Sequence, residues 1–315
     1  MAGVTRATGT LLLGSCSTLA RAVSASPGLS FCLVDLQHGA ASMNGLAALV
    51  NSVNGNGLPC ITRVLDPGDM ATLGRALDLG SSAVVVPGVS TADHAQAIAD
   101  AARYPPDGFR SWGPLPASRP PFTIRNQAIT HIGMIENKFG VDAITDIAKT
   151  ELDAIYIGPT DLSFSITGTA SPPKDNKQVQ EAIQHIAATC QAAGKPVGVH
   201  CTHAHALHKL EKGTGVAFDF VTVGSDMSMM QDALSSAIAR VQSGEEDETS
   251  ADGGGGGDGG RGGLTAEEEA EQLALLEREL DPQRIAAILQ RAMEDDAFDV
   301  KTSGSADRRH GRRPH

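Results

Sequence analysis

Two acidic residues of this sequence closely follow short apolar runs, where they could bind a cation together. Glu136 follows the run Ile129–Ile135, and Asp161 comes shortly after the run Ala154–Ile157. If these runs are neighbouring strands of one sheet, both carboxylates lie at the same edge and can share a divalent ion. Two carboxylate oxygens, completed by water and substrate oxygens, suit Mg²⁺ or Mn²⁺. The alternative is that each carboxylate only caps the helix that follows it.

Three further residues could carry out proton transfer and charge stabilisation. Asp35 and His38 are three residues apart at the end of the apolar run Phe31–Leu36. An Asp that orients a His produces a tuned general acid or base. Arg63 lies within another apolar run, and a charge in such a run needs a partner. Its guanidinium could hold a carboxylate or a developing oxyanion.

A regular fold is needed to bring these side chains together, and the sequence alternates two patterns. Nearly continuous short apolar runs predict strands that are covered on both faces, and Ala and Leu at helical spacing predict helices between them. The predicted strands are Thr10–Ser15, Phe31–Leu36, Cys60–Leu65, Ala83–Val89, Ile129–Ile135, Ala154–Ile157, Pro196–His200 and Phe220–Val223. The clearest helical segments are Asn44–Val53, Asp69–Leu79, Ala92–Arg103, Val179–Ala193 and Met227–Val241.

Eight such units within residues 1–243 predict an α/β fold of the (β/α)₈ TIM-barrel type. A doubly wound open sheet is the alternative, but it usually has fewer strands and a Gly-rich first turn, which is not visible here. Catalytic groups of a TIM barrel lie at the carboxyl ends of its strands. The candidate residues Asp35, His38, Arg63, Glu136 and Asp161 all fall at such ends.

The net charge of −12 is concentrated beyond the predicted barrel. Residues 244–315 contain 18 acidic and 9 basic residues, so most of the excess charge belongs to this C-terminal extension. The predicted barrel has no basic stripe, which argues against a nucleic-acid partner. Residues 244–263, an acidic run followed by a Gly-rich stretch, predict a disordered linker. Residues 264–315 predict a helical hairpin followed by a disordered basic tail.

Neither a membrane nor a secreted location is indicated. No apolar run approaches the roughly 18 residues that a membrane span requires. The short stretch Leu11–Leu13 is better explained as part of the first strand than as the apolar region of a signal peptide. The 5 cysteines are scattered, without a CxxC pair, as is typical of a reducing compartment. We therefore expect a cytoplasmic protein.

Several segments, in the order in which they occur, resemble the HpcH/HpaI aldolase family of metal-dependent class II pyruvate aldolases, within the phosphoenolpyruvate/pyruvate barrel superfamily. The resemblance covers residues 8–243, and so specific a set of segments in this order is not expected by chance. The segments are LVDLQHG (33–39), TRV (62–64), LDLGSSAVVVPGVSTADHA (77–95), RYPPDGFRSWGP (103–114), MIEN (134–137), IGPTDLSFS (157–165), AAGKPVG (192–198) and VTVGSD (221–226).

The resemblance implies a metal centre and a substrate class. Glu136 and Asp161 would hold Mg²⁺ or Mn²⁺, with Co²⁺ as an alternative, and the metal would bind the carboxylate and keto oxygens of a 2-oxoacid. Acting as a Lewis acid, it would stabilise a pyruvate enolate. The implied reaction is the reversible cleavage of a 4-hydroxy-2-oxoacid to pyruvate and an aldehyde. The family also implies a homo-oligomer, commonly a hexamer, with C-terminal barrel helices exchanged between subunits.

The resemblance also implies roles for the other candidate residues. Arg63 would neutralise charge on the enolate oxygen, and His38, held by Asp35, would transfer a proton to or from the aldol hydroxyl. The substrate carboxylate would be bound at a helix N-terminus. The residues implied there are Gly158, Pro159, Thr160 and Asp161.

Differences from the family pattern leave the acceptor aldehyde open, together with two related reactions. The family often has Glu at Gln37, Gln at Met134, Gly after Arg110 and Ala at Thr160. A fungal branch, of the macrophomate synthase type, decarboxylates oxaloacetate to a metal enolate with the same core residues. A citrate-lyase-like CoA thioester lyase shares the barrel and the carboxylate pair.

Other classes of function fit the sequence less well. A Schiff-base aldolase needs a buried Lys at the carboxyl end of a strand, whereas Lys195 precedes its strand and Lys138 lies in a loop. The run from His200 to His208 contains four His and could bind zinc. A non-catalytic barrel that acts through its C-terminal extension is the alternative to an enzyme.

Overall fold

The structure, a computed structural model, describes residues 6–113, 126, 129–170 and 176–243. Eight parallel strands close into a barrel in the order of the chain, which confirms the predicted TIM barrel. The strands are β1 (Ala7–Leu12), β2 (Phe31–Asp35), β3 (Cys60–Arg63), β4 (Ala83–Val86), β5 (Thr130–Ile135), β6 (Ala154–Ile157), β7 (Val197–Cys201) and β8 (Phe220–Ser225). The helices are α1 (Ser17–Ser24), α2 (Met43–Asn54), α3 (Met70–Asp78), α4 (Ala92–Ala102), α5 (Lys138–Asp142), α6 (Ile144–Ile147), α7 (Pro159–Thr167), α8 (Lys177–Ala192), α9 (Ala204–Thr214) and α10 (Asp226–Ser243).

Each strand contributes to two separate apolar cores, and this explains why the strands read as continuous apolar runs. On β2, Cys32 and Val34 pack outward against the helices, whereas Phe31 and Leu33 pack inside the barrel. Alternate residues therefore face opposite layers, and both layers exclude water. By the same alternation, Asp35, which is the last residue of β2, faces the barrel interior.

Aromatic rings close the barrel interior below the carboxyl ends of the strands. The Phe220 ring lies 6.5 Å from the ring of Phe31 and 5.9 Å from that of Tyr156. Gly9 and Gly198 make room for this group, because a Cβ on Gly9 would collide with Phe31 and one on Gly198 would collide with Phe220. The interior is therefore a packed core rather than a pore.

The first strand begins earlier than its apolar run suggests. The prediction of Thr10–Ser15 is shifted by three residues from the observed Ala7–Leu12. The strand needs Gly9, a residue that an apolar-run criterion passes over, to pair with Phe31 on β2. Past the strand, the backbone amides of Leu13 and Gly14 donate to the carboxylate of Asp226 at 2.9 and 3.0 Å, so that this loop is tied to α10.

The RYPPxGxR segment after α4 forms a packed anchor for its own loop. Arg110 donates to Asp78 at the end of α3 at 2.7 Å, and its guanidinium lies 4.5 Å from the centre of the Tyr104 ring. The Tyr104 ring packs in turn on Trp112, at 4.9 Å between ring centres. These contacts therefore tie the start of the connection from α4 to β5 to the end of α3.

The predicted linker 244–263 and the predicted hairpin and tail 264–315 lie outside the described residues. Among the helices that are described, none is long and apolar enough to cross a membrane.

Candidate active site

The structure brings all five predicted reactive residues to the carboxyl end of the barrel, four of them around its opening and His38 on the exposed loop after β2. Asp35 and Arg63 are paired in register as the last residues of β2 and β3. Glu136 follows β5 directly and is buried, and Asp161 lies in the first turn of α7, after β6. Because β5 and β6 are adjacent strands, the two carboxylates share one side of this opening.

Asp35 and Arg63 form a buried bidentate ion pair. The Arg63 Nε donates to Asp35 Oδ1 at 2.8 Å, and Nη2 donates to Oδ2 at 2.6 Å. Burial alone would raise the pKa of Asp35, but hydrogen bonds and charge from Arg63 outweigh it and lower this pKa. The pair is therefore ionised, and its fixed geometry leaves Arg63 Nη1 directed away from Asp35, toward Met134 Sδ at 3.7 Å.

Asp35 contacts His38 differently from the sequence prediction. Its Oδ1 accepts from the backbone amides of Gln37 at 3.0 Å and His38 at 3.3 Å, while the described contacts of its carboxylate to a side chain are those with Arg63. The expectation that Asp35 holds the His38 imidazole is therefore wrong in this structure. The reason is the pairing of β2 with β3, which gives Asp35 a stronger charged partner. The His38 side chain is instead exposed on the loop that Asp35 shapes.

Glu136 is a buried carboxylate with a second negative charge nearby. Burial and the charge of Asp161 raise its pKa to about 7, against the lowering effects of Arg63 and of a hydrogen bond from the Gly88 amide. The backbone at Gly158 lies very close to this carboxylate. A Cβ at position 158 would lie 2.9 Å from Glu136 Oε2 and 2.5 Å from Met134 Cε, so a larger residue would collide with both side chains. Gly158 therefore allows the start of α7 to approach the Glu136 carboxylate.

The start of α7 offers free backbone donors next to these carboxylates. The helix begins at Pro159, which has no N–H, and the Leu162 amide already donates to the Gly158 carbonyl at 3.0 Å. The amides of Thr160 and Asp161 have no backbone acceptor among the described contacts. Both residues are exposed at the opening, so this helix N-terminus can bind an anion such as a substrate carboxylate.

The donor set at this opening fits a divalent cation. Burial and the negative charge of Asp161 both raise the pKa of Glu136, and a cation between the two carboxylates would relieve their repulsion. Two carboxylates with space for water or substrate oxygens match the preferences of hard cations. Groups of three or more His, Cys, Asp or Glu side chains at metal-binding distance do not occur in the described part of the chain. The remaining ligands would therefore be water and substrate.

The structure adds a polar group that the sequence prediction did not include. His200 Nδ1 lies 2.9 Å from Thr222 Oγ1, and the Tyr156 hydroxyl lies 2.5 Å from the same oxygen. His200 and Thr222 are register partners on β7 and β8. The signal that could have found His200 is strand alternation, since Val199 and Cys201 pack outward and His200 must therefore face inward.

His200 remains neutral well below the pH at which a free imidazole protonates. Burial and the nearby charge of Arg63 lower its pKa to about 4, despite the opposing charge of Asp35. We therefore expect the free energy of unfolding to decrease as the pH falls from about 6.5 toward 4, because in that range the unfolded chain binds a proton that the folded chain does not. The contribution is at most about 3 kcal/mol. Urea denaturation at several pH values measures it, and His200→Gln should remove this part of the slope, whereas His205→Gln on exposed α9 should not.

The structure also places the two lysines considered for a Schiff base and the run of His residues considered for zinc binding. Lys195 lies before β7, at the opposite end of the barrel, where its ammonium donates to the carbonyls of Thr150 at 2.7 Å and Leu152 at 2.5 Å. Lys138 pairs with Asp142 on the surface. Neither is placed to form a Schiff base. In the predicted zinc run, His200 faces the barrel interior, whereas His203 occupies the N-cap position of α9 without a side-chain hydrogen bond to the helix.

Comparison with known proteins identifies relatives of this chain. Residues 13–233 match the model of the family described as HpcH/HpaI aldolase/citrate lyase. The chain is 33% identical over 215 residues to a hydroxypyruvate/pyruvate aldolase of Rhizorhabdus wittichii, covering 66% of this chain and 83% of that one. It is 33% identical over 236 residues to a 5-keto-4-deoxy-D-glucarate aldolase of Escherichia fergusonii, covering 70% and 88%. The solved structure of the citrate synthase SbnG is similar with a TM-score of 0.66 at 28% identity, covering 76% and 95%.

The match to the family model includes every candidate residue at the opening. The relatives are named as aldolases, which act on carbon–carbon bonds. The chain therefore belongs to the HpcH/HpaI aldolase/citrate lyase family and is a carbon–carbon lyase of the aldolase type.

Proposed function

We propose that this protein is a divalent-metal-dependent aldolase that cleaves a 4-hydroxy-2-oxoacid to pyruvate and an aldehyde, reversibly. The observation that carries the proposal is the pair Glu136 and Asp161 beside the Arg63–Asp35 ion pair at one opening. Two carboxylates bind a hard cation, and a guanidinium beside them binds an anion. This combination suits a substrate with adjacent carboxylate and keto oxygens.

Glu136 and Asp161 would hold the metal, with Mg²⁺ or Mn²⁺ as the expected ion and Co²⁺ as an alternative. When bound, the metal would supply Lewis-acid polarisation of the substrate keto group. The free amides of Thr160 and Asp161 would bind the substrate carboxylate at the positive end of α7. Binding at these positions would orient the pyruvyl half of the substrate.

Arg63 would stabilise the negative charge that develops on the enolate oxygen. Two of its donors are fixed by Asp35, so the guanidinium cannot rotate away, and Nη1 remains for the substrate. A preorganised cation of this kind costs little reorganisation during the reaction. His38, exposed at the same rim, would exchange a proton with the aldol hydroxyl. Asp35 supports this role by fixing the His38 backbone rather than its ring.

The experiment that tests this proposal is exchange of the pyruvate methyl protons in D₂O, followed by NMR. Enolisation should exchange these protons in the presence of Mn²⁺ or Mg²⁺, and EDTA should stop the exchange. No aldehyde is required, so the result does not depend on knowing the acceptor. A purified, folded protein that shows no metal-dependent exchange would contradict the proposal.

A second candidate is carbon–carbon chemistry on a CoA thioester. It is favoured by the likeness to the citrate synthase structure and by the citrate lyase branch in the family description. Turnover of malyl-CoA without pyruvate exchange would favour this candidate. Decarboxylation of oxaloacetate in the absence of an aldehyde would favour the macrophomate synthase type of reaction.

We further propose that the protein is a homo-oligomer, with the hexamer of the family as the expected state. Helix α10 carries exposed apolar side chains along one side, spaced three and four residues apart; they are Met227, Met230, Leu234, Ile238 and Val241, from 46% to 83% exposed. A patch of this kind is typical of a subunit interface.

The oligomer can be tested through this helix. Replacing Leu234 and Ile238 by Glu should produce a smaller species in light scattering, because two charges would be placed in the apolar interface. The matched control is Ser236→Glu with Ser243→Glu, which also adds two charges but on the opposite, exposed side of the same helix. An unchanged mass of the Leu234 and Ile238 variant would exclude α10 from the interface.

A further inference from the structure

The chain His200–Thr222–Tyr156 is a polar group inside the barrel that the proposed reaction does not use. Tyr156 and Thr222 are buried, whereas His200, the register partner of Thr222, is partly exposed. Three hydrogen-bonding side chains in an apolar interior are costly unless their donors and acceptors match. The donor and the acceptor of each of their hydrogen bonds can therefore be assigned.

The assignment follows from the two hydroxyl protons, those of Tyr156 and Thr222, and from the acceptors available to them. If Thr222 donated to Tyr156, the Tyr156 hydroxyl proton would have no acceptor among the described residues, and the nearest charge, Arg63, offers only donors. Tyr156 therefore donates to Thr222, and its oxygen lone pairs face the positive charge of Arg63. The single Thr222 proton is then directed to His200 Nδ1, which is the acceptor at 2.9 Å.

This arrangement fixes the tautomer of His200. With Nδ1 accepting, the ring proton is on Nε2, which has no hydrogen-bond partner among the described residues. The low pKa of His200, caused by burial and by Arg63, keeps the ring neutral at pH 7. His200 thus presents one neutral N–H donor to the opening of the barrel.

The strand register places His200 relative to the metal ligands. Ile135, Ile157 and Val199 are successive register partners on β5, β6 and β7, so the residues that follow them, Glu136, Gly158 and His200, lie at one level of the barrel. Gly158 carries no side chain that could separate Glu136 from His200. A 2-oxoacid anchored at Glu136 and Asp161 would therefore have His200 beside it, and could extend its remaining carbons toward that ring.

We propose that His200 is a specificity-determining residue whose Nε2–H donates a hydrogen bond to an oxygen on the aldehyde-derived half of the substrate. The inference rests on the proposed aldolase function, and it names the substrate class: hydroxyaldehydes are selected over alkyl aldehydes of the same size. An alkyl group at this position would leave the Nε2–H desolvated and unpaired, which disfavours that substrate. Thr222 is a positioning residue for the imidazole.

The test compares glycolaldehyde with propanal, which carries a methyl group in place of the hydroxyl group. Both are added to pyruvate by the full-length enzyme with Mn²⁺, and the ratio of their kcat/KM values is determined. The ratio comes from one preparation, so it does not depend on the active fraction. It should favour glycolaldehyde in the wild type and fall at least about tenfold in His200→Leu. It should stay within about threefold of wild type in His200→Gln, which retains an N–H donor.

The matched control is His205→Leu on exposed α9, for which the ratio should not change. An unchanged ratio in His200→Leu, or equal losses in the Leu and Gln variants, would overturn the inference. If His200→Leu is inactive with both aldehydes, Thr222→Val decides, because it keeps the imidazole and removes its anchor: a fall in the ratio supports the inference, and a ratio within twofold of wild type overturns it. Failure of the aldolase proposal is distinguished by the exchange of pyruvate protons, which involves no aldehyde.

Discussion

Replacing Glu136 by Gln is expected to lower metal-dependent exchange of the pyruvate methyl protons by at least about 10²-fold. The change keeps the shape of a buried side chain and removes one of the two charges that would hold the cation. Asp161, which is exposed on α7, would then have to hold it alone. The rate of exchange at saturating Mn²⁺, measured by NMR, and the Mn²⁺ affinity, measured by calorimetry, should both decrease.

A surface carboxylate provides the control for this variant. Glu181 on α8 is exposed and pairs with Lys177 in a loose contact of 3.4 Å. Glu181→Gln removes the same charge and should leave both measurements unchanged. A Glu136→Gln protein that exchanges pyruvate protons at the wild-type rate would show that this carboxylate is not a metal ligand.

The second large effect concerns stability. Asp35→Ala is expected to lower the free energy of unfolding by about 3–5 kcal/mol, because it leaves the Arg63 guanidinium buried without its counter-charge. Arg63 is only 7% exposed, so water cannot replace the lost carboxylate. Urea denaturation measures the loss, and proton exchange should also decrease because Arg63 is no longer held in place.

Two further variants test whether the loss of stability comes from the unpaired buried charge of Arg63. Glu151→Ala breaks the Arg103–Glu151 pair, in which Glu151 is 55% exposed, and should cost no more than about 1 kcal/mol. The double variant Asp35→Leu with Arg63→Met removes both buried charges, and should recover most of the stability but no exchange. If Asp35→Ala lowers the stability by less than 1 kcal/mol, the ion pair does not anchor this opening.

The barrel could be predicted from the sequence because the patterns that indicate strands and helices are local. Strand length, apolar runs and the spacing of helical residues depend on neighbours in the chain, and they identified all eight strands. The rule that reactive groups lie at the carboxyl ends of barrel strands then selected Arg63, Glu136 and Asp161 from a short set of positions. These three residues lie where that rule requires.

The contacts among these residues were less predictable because they depend on pairing between distant segments. Asp35 is near His38 in sequence, yet its carboxylate pairs with Arg63, 28 residues away, because β2 and β3 are in register. His200 was grouped with the following His residues by spacing, although strand alternation separates it from them. The Thr222 and Tyr156 hydroxyls that orient it come from two other strands.

The aromatic group that closes the barrel interior has a kinetic consequence. Phe31, Phe220 and Tyr156 block passage through the barrel, so substrates and products share a single entrance. In the proposed reaction, pyruvate would be held at buried Glu136, and the aldehyde would lie nearer the entrance, beside the less buried His200. In the cleavage direction the aldehyde would therefore depart first and pyruvate last. An ordered scheme of this kind makes pyruvate a competitive product inhibitor of the 4-hydroxy-2-oxoacid, while the aldehyde inhibits noncompetitively.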